Sequence, residues 1–187
     1  MLDDEKDYSV FLAGDNAGFE RLVIRYKDGL IYYLNKIIKN ITIAEDLAQD
    51  AFVEVYVHKE RFVPGKAAFK TYLYTIGHHK AVDYVRKSQR EVLTDFHEEE
   101  ETAMSGSSSP EIQMLEQEGK EELYRALDEL KEEYQRILVL TEIEGMKLKD
   151  AAKVMGKTEP QAKVLAHRAR KALLLKLQGQ LKQSKKL

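Results

Sequence analysis

The sequence predicts an all-α protein: two small helical domains, residues 1–94 and 112–187, joined by a flexible acidic linker over 95–111. Three observations predict this. Apolar residues recur at three- and four-residue intervals in each long segment, the pattern of amphipathic helices. Residues 95–110, DFHEEEETAMSGSSSP, break the pattern with four consecutive glutamates, a Ser/Gly run and a proline, a composition that repels itself and buries no core. Charge is also segregated: net −5 over residues 1–60, +6 over 61–90, −13 over 91–144 and +10 over 145–187, although the whole chain carries only −2. Two basic blocks flanking an acidic one suit a protein that meets nucleic acid at two places.

The N-terminus, MLDDEKDYSV, is acidic and lacks the apolar core of a signal peptide. No apolar run reaches the roughly 18 residues of a membrane span. With no cysteine, disulfides and thiolate metal sites are excluded. A soluble, cytoplasmic protein without direct membrane insertion is expected.

A first helix is expected over 17–39, where Phe19, Leu22, Val23, Tyr26, Leu30, Tyr33, Leu34, Ile37 and Ile38 form a wide stripe. Asn40 interrupts it. Thr42-Ile43-Ala44-Glu45 has the form of a capping box, which places the next helix start near Ile43. Leu47, Ala51, Phe52, Val55 and Tyr56 are assigned to its inner face. Asp46 and Asp50 lie four apart on another face with Glu45 and Gln49 beside them, an acidic ridge that a helix dipole alone would accommodate. Val63-Pro64-Gly65 breaks the chain, and a third helix resumes from Ala67. At about 100° per residue, Phe69, Leu73, Ile76, Gly77 and Tyr84 share its core side, with Lys80 snorkelling from that side. Thr71, Thr75, His78, Val82 and Arg86 fall opposite.

Beyond the linker, helices are expected over 112–130 (stripe Leu115, Leu123, Ala126, Leu127, Leu130), 134–143, 148–155 and 159–177. Gly145 and Gly156 mark stops. Thr158-Glu159-Pro160-Gln161 forms a second capping box, with proline tolerated in the first turn.

Two stretches carry the chemistry. Residues 61–90 hold seven Lys/Arg against one acid, interleaved with five aromatics and the adjacent His78 and His79. Cations that follow phosphates and rings that stack on bases are what unpaired nucleic acid requires. An ordinary amphipathic helix with aromatic core residues has the same composition. Assigning Phe69, Leu73, Ile76 and Tyr84 to the core leaves Arg61, Phe62, Lys66, Lys70, His78, His79, Arg86 and Lys87 as the DNA face, while Tyr72 and Tyr74 fit either side. In the second stretch, Ala152 and Gly156 allow a tight helix–turn–helix, with Ala151, Met155, Ala162 and Leu165 between the helices. The second helix of such a unit enters the major groove by its N-terminal end. Lys157, Thr158, Gln161 and Lys163 occupy that end. His167, Arg168, Arg170 and Lys171 follow, suited to phosphates. A basic protein-binding module is the alternative reading of this segment.

A metal-dependent enzyme is disfavoured. His78 and His79 point about 100° apart on a helix, and no motif supplies further ligands; His97 among its glutamates reads as a solvated charge run. No cofactor or metal is expected.

Four blocks in order, covering nearly all of residues 17–177, resemble the extracytoplasmic-function class of bacterial sigma factors, in the sigma-70 family. They are Ala17-Gly18-Phe19 through Tyr26; Ala44-Glu45-Asp46-Leu47-Ala48-Gln49-Asp50-Ala51-Phe52; Phe69-Lys70-Thr71-Tyr72-Leu73-Tyr74-Thr75-Ile76-Gly77-His78-His79 with Asp83 and Arg86-Lys87; and Asp150-Ala151-Ala152, Gly156, Thr158, Gln161-Ala162-Lys163 with Arg168-Ala169-Arg170. The resemblance implies that Glu45, Asp46, Gln49 and Asp50 dock on the β′ coiled coil of core RNA polymerase. It implies that the loop Arg61–Ala68 and the following helix open the −10 promoter element and hold a flipped base. The C-terminal domain would read the −35 element and meet the β flap, and an anti-sigma factor, in some cases membrane-anchored, would mask both domains. The chain departs from the family at Tyr72, where tryptophan is usual, at His79, where asparagine is usual, and at Leu165, where a basic residue is common. A stand-alone helix-turn-helix regulator is the alternative function.

Overall fold

The computed structural model describes residues 3–94 and 118–184, with side chains over 3–90 and 122–179. The expected linker, His97 and the segment holding Ile112 and Leu115 lie outside the described residues. The chain divides into two compact units, Met1–Gly106 and Ser107–Leu187. Among the described residues there is no strand.

In the first unit, helix α1 (Asp3–Leu12) is one that the apolar spacing did not announce. Only Tyr8 and Phe11, one helical turn apart, are buried apolar groups; ion pairs, a hydroxyl hydrogen bond and a close backbone approach add to its contact with α2 (Asn16–Ile38). Asp7 accepts from Arg21 at 2.6 Å and from Arg25 at 2.9 Å, and Asp4 accepts from Arg25 and from the Tyr26 hydroxyl. Burial opposes ionisation of Asp7, but the two guanidiniums together outweigh it and hold its carboxyl below the ordinary value. The helices approach so closely that a Cβ on Gly18 would lie 2.2 Å from the Asp7 carbonyl oxygen.

Helix α2 starts where the Asp15 carboxylate accepts from the Ala17 N–H at 2.9 Å, and ends at Lys39 in the left-handed conformation. Of its expected stripe, Leu22, Tyr26, Leu30, Tyr33, Leu34 and Ile37 are buried, while Phe19, Val23 and Ile38 are half-buried. Helix α3 (Ile41–Val57) begins two residues before the expected start. The cap is Asn40, extended at φ −140°, whose side chain accepts from the Ile43 N–H at 3.2 Å. Asparagine is as strong an N-cap as threonine, and here it reaches the third helical N–H. Small residues Ala44, Ala48 and Ala51, with Phe52 and Val55, form the inner face. Tyr56, expected there, is 45 % exposed, although its ring leans on Phe11 and Phe19.

Helix α4 (Phe69–Thr94) packs against both α2 and α3. Its first half is therefore buried nearly all round: Phe69, Thr71, Leu73, Tyr74, His78 and Ala81 are all buried. Gly77 lets it cross α2, since a Cβ there would meet a Leu30 methyl at 3.0 Å. Tyr84, expected in the core, lies beyond the packed half and is 36 % exposed. Lys80 does not snorkel freely; it bridges to Glu54 of α3 at 2.8 Å, and that hydrogen bond lowers the Glu54 carboxyl pKa.

The second unit contains α5 (Glu118–Asp128), α6 (Glu132–Leu138) running into a π-helical turn (Val139–Ile143), α7 (Leu148–Val154) and α8 (Glu159–Ser184). Ala126, Leu127 and Leu130 reach its core, but Leu123 is 38 % exposed. Gln135 is buried and donates to the carbonyls of Asp128 at 2.9 Å and Leu130 at 2.8 Å, satisfying the end of α5. Ala151 and Ala152 of α7 are buried, as are Ala162, Ala166 and Ala169 of α8, so the two helices meet through small residues. Met155 and Leu165, expected between them, are only half-buried. Gly156 turns the chain at φ +62°.

Candidate functional site

Three surfaces collect the residues singled out above. On α3, Glu45, Asp46, Gln49 and Asp50 are all exposed. With the cap at Asn40, no acid stands in the first turn of α3, and dipole stabilisation falls off beyond that turn. Among the described residues none of these carboxylates has an ion-pair partner. The ridge continues along the same face into Val53 and Val57, which are 52 % and 61 % exposed. Four polar residues, three of them acidic, thus run into two bare aliphatic ones on one exposed face of α3.

The second surface is the loop between α3 and α4 with the adjoining part of α4. A 3₁₀ turn (Lys59–Arg61) leads into Phe62, and Val63–Lys66 closes a turn with Gly65 at φ +86°. Arg61, Lys66, His79, Arg86 and Lys87 are exposed. Lys70 is half-buried, its ammonium 5.5 Å from the Tyr26 ring centre and 5.9 Å from that of Tyr74. Arg86 lies 3.7 Å from Asp83, one turn earlier on the exposed face.

Two members of the expected DNA face are not on the surface. Phe62 is 4 % exposed, stacked on Tyr72 and edge-on to Tyr8 and Phe69. His78 is 8 % exposed, with Nδ1 2.9 Å from the Tyr33 hydroxyl. Both belong to the scaffold. The helical wheel misplaced His78 because α4 has a second helix against its other side. Of the residues that fitted either face, Tyr74 is fully buried and Tyr72 is half-buried, its hydroxyl pKa raised chiefly by burial. Sequence reasoning missed Tyr8, whose hydroxyl donates to the Lys59 carbonyl at 2.7 Å. The Tyr8–Phe11 pair, one turn apart in an acidic stretch, was its only signal.

The third surface is the front of α8. The capping box forms reciprocally: Thr158 N–H donates to Gln161 Oε1 at 2.9 Å, and Gln161 N–H to Thr158 Oγ1 at 3.4 Å. Gln161 thus spends its oxygen on the cap and keeps its amide donors. Lys163, His167, Arg168 and Lys171 are exposed. Arg170 is exposed too but turns back to Glu142, at 2.7 Å, and lowers the pKa of that carboxyl. Lys157 pairs with Glu133 at 3.0 Å. An open cleft of about 910 Å³ separates the starts of α6 and α8, lined by Lys131, Arg136, Lys157 and Arg168 among others. Glu132, Glu133, Val164 and Leu165 share that lining, and Lys157 is the cation paired with Glu133 there.

Two family models match the chain: sigma-70 region 2 over residues 22–91 and sigma-70 region 4 over residues 120–173. It is 28 % identical to the RNA polymerase sigma factor YlaC of Bacillus subtilis over 81 % of this chain and 87 % of that protein. Against the extracytoplasmic-function RNA polymerase sigma-E factor of Escherichia coli K12 the identity is also 28 %, over 88 % and 89 % of the two chains. The chain belongs to the extracytoplasmic-function class of the sigma-70 family.

A likeness of fold accompanies the sequence matches. The sigma factor RpoE of Bartonella quintana, solved with the anti-sigma factor NepR, superposes with a TM-score of 0.63 at 24 % identity, over 86 % of this chain and 96 % of that one. In this sigma factor the region 2 match contains the ridge and the loop, whereas α1 precedes it. The region 4 match contains the helix-turn-helix. Among the described residues no cluster of three or more His, Asp or Glu is arranged to hold a metal ion, and no helix is long and apolar enough to cross a membrane.

Proposed function

We propose that this sigma factor directs promoter-specific initiation by joining three contacts in one chain. Residues 1–94 form the polymerase and −10 module. Glu45, Asp46, Gln49 and Asp50 dock on the β′ coiled coil of core polymerase. Arg61, Lys66, Lys70, Tyr72, His79, Arg86 and Lys87 line the path of the opened −10 strand, on a scaffold held by Phe62 and His78. Residues 112–187 form the −35 module: Lys157, Thr158, Gln161 and Lys163 approach the major groove, His167, Arg168, Arg170 and Lys171 take phosphates, and the β flap meets the same module. The factor acts in the cytoplasm, where an anti-sigma factor restrains it. The solved complex of RpoE with NepR supports that last point.

The observation that carries the reading is the exposed stripe on α3, because a stand-alone DNA-binding regulator has no use for it. Energetics agree. Opening DNA costs about 1.4 kcal/mol per stacked step, while each captured base returns about 1–3 kcal/mol. One small domain cannot open a bubble unaided, so the polymerase contact is obligatory. Replacing Asp46 and Asp50 together by arginine is expected to abolish binding to core polymerase and run-off transcription over a promoter library, with duplex −35 binding intact. Unimpaired core binding by that variant would refute the reading in favour of a self-sufficient regulator.

A further inference from the structure

Helix α1 stands outside the region 2 match, yet it holds the loop between α3 and α4 in place. Tyr8 is fully buried and donates to the Lys59 carbonyl across 51 residues of chain. Its ring meets Phe62 edge-on at 4.7 Å and Phe69 at 5.4 Å. One side chain thus touches the turn that enters the loop, the first residue after that turn and the first residue of α4. The tip beyond Phe62 has little of its own to hold it. A single backbone hydrogen bond, Lys66 N–H to the Val63 carbonyl at 3.2 Å, closes the turn, and Val63, Gly65, Lys66, Ala67 and Ala68 are exposed. The anchor itself is rigid, since α1 is clamped to α2 by the Asp4, Asp7, Arg21 and Arg25 network and by the close approach at Gly18.

We propose that Tyr8 is a positioning residue for promoter opening, holding the Lys59–Ala68 loop in the shape that receives the unpaired −10 strand. This rests on the reading that the loop meets −10 DNA. A loop already ordered before binding loses less freedom when it captures a base, so its affinity goes into the opened state. The hydroxyl and the ring contribute separately: the hydroxyl fixes the Lys59 turn, and the ring seats Phe62.

The test uses the full chain with core polymerase on the strongest template from the run-off library. Tyr8→Phe keeps the ring and removes the hydroxyl; Tyr8→Leu removes both. Permanganate reactivity of −10 thymines follows opening, with core affinity and −35 duplex binding measured beside it. Loss of one hydrogen bond is expected to slow opening about fivefold in Tyr8→Phe and further in Tyr8→Leu, while the Tyr8→Phe core affinity stays within about twofold of wild type. Opening at the wild-type rate in Tyr8→Phe would overturn the proposal. So would core affinity falling in step with opening, which would mark Tyr8 as an ordinary core residue. A wild-type chain giving no run-off overturns the underlying reading and this one together; wild-type activity with an unaffected Tyr8→Phe overturns this one alone.

Discussion

Replacing Phe62 with alanine separates a scaffold role from a base-stacking role. The ring is 4 % exposed and contacts three others: Tyr72 stacked at 5.2 Å, Tyr8 edge-on at 4.7 Å and Phe69 edge-on at 5.5 Å. Truncating a buried phenylalanine costs about 3–5 kcal/mol, and the low end applies at a loop that can partly collapse into the space. Ring–ring terms of about 0.5–1.5 kcal/mol lie within that figure and are not added to it. Against a domain stability of about 5–15 kcal/mol, a loss of about 3 kcal/mol is severe. For a domain of this size it lowers the melting temperature by roughly 12–24 °C. Hydrogen exchange on the full chain, resolved by segment, would locate the loss in the first unit, with α8 protection unchanged. Phe62→Leu should recover most of the stability. If Phe62→Ala left the first unit as stable as wild type and lost only binding to unpaired −10 DNA, the scaffold assignment would be wrong.

Three further outcomes are expected. Asp7 titrates below its ordinary value of 3.8, so it stabilises the fold above that pH and the contribution is lost as pH falls from about 4 through the lowered pKa. Asp7→Asn should therefore flatten the acid limb of the first unit's stability curve in circular dichroism while lowering stability at neutral pH. Gln135→Ala leaves two carbonyls at the end of α5 without this donor and should cost the second unit about 2 kcal/mol in urea unfolding. Lys163→Ala should weaken −35 duplex binding by the holoenzyme; if its contact is to phosphate, the slope of log affinity against log salt falls by about 0.9, and if to a base edge the slope stays and specificity relaxes.

Helix periodicity, caps and charge are local properties, and they were legible in the chain alone. The stripe of α2, the Thr158–Gln161 capping box, the turn at Gly156 and the segregation of charge each rest on residues within a few positions of one another. So does the acidic ridge on α3, because Glu45-Asp46 and Gln49-Asp50, two pairs one turn apart, need only the helix to share a face. What the sequence could not settle was how many neighbours each helix has. A helical wheel presumes one buried side, but α4 lies against both α2 and α3, so His78 and Thr71 are buried opposite Leu73. From sequence Phe62 belongs with the DNA face and Tyr74 fits either side; only the rings packed around them put both in the core. Helix α1 escaped notice because ion pairs and one hydroxyl hydrogen bond to residues 14–22 positions away hold it, and its two buried rings have too short a span to show a period. Sequence determined which segments are helical and what charge each presents. Tertiary structure alone decided which aromatic and histidine side chains remain outside to meet a partner, because burial is set by contacts between residues far apart in the chain.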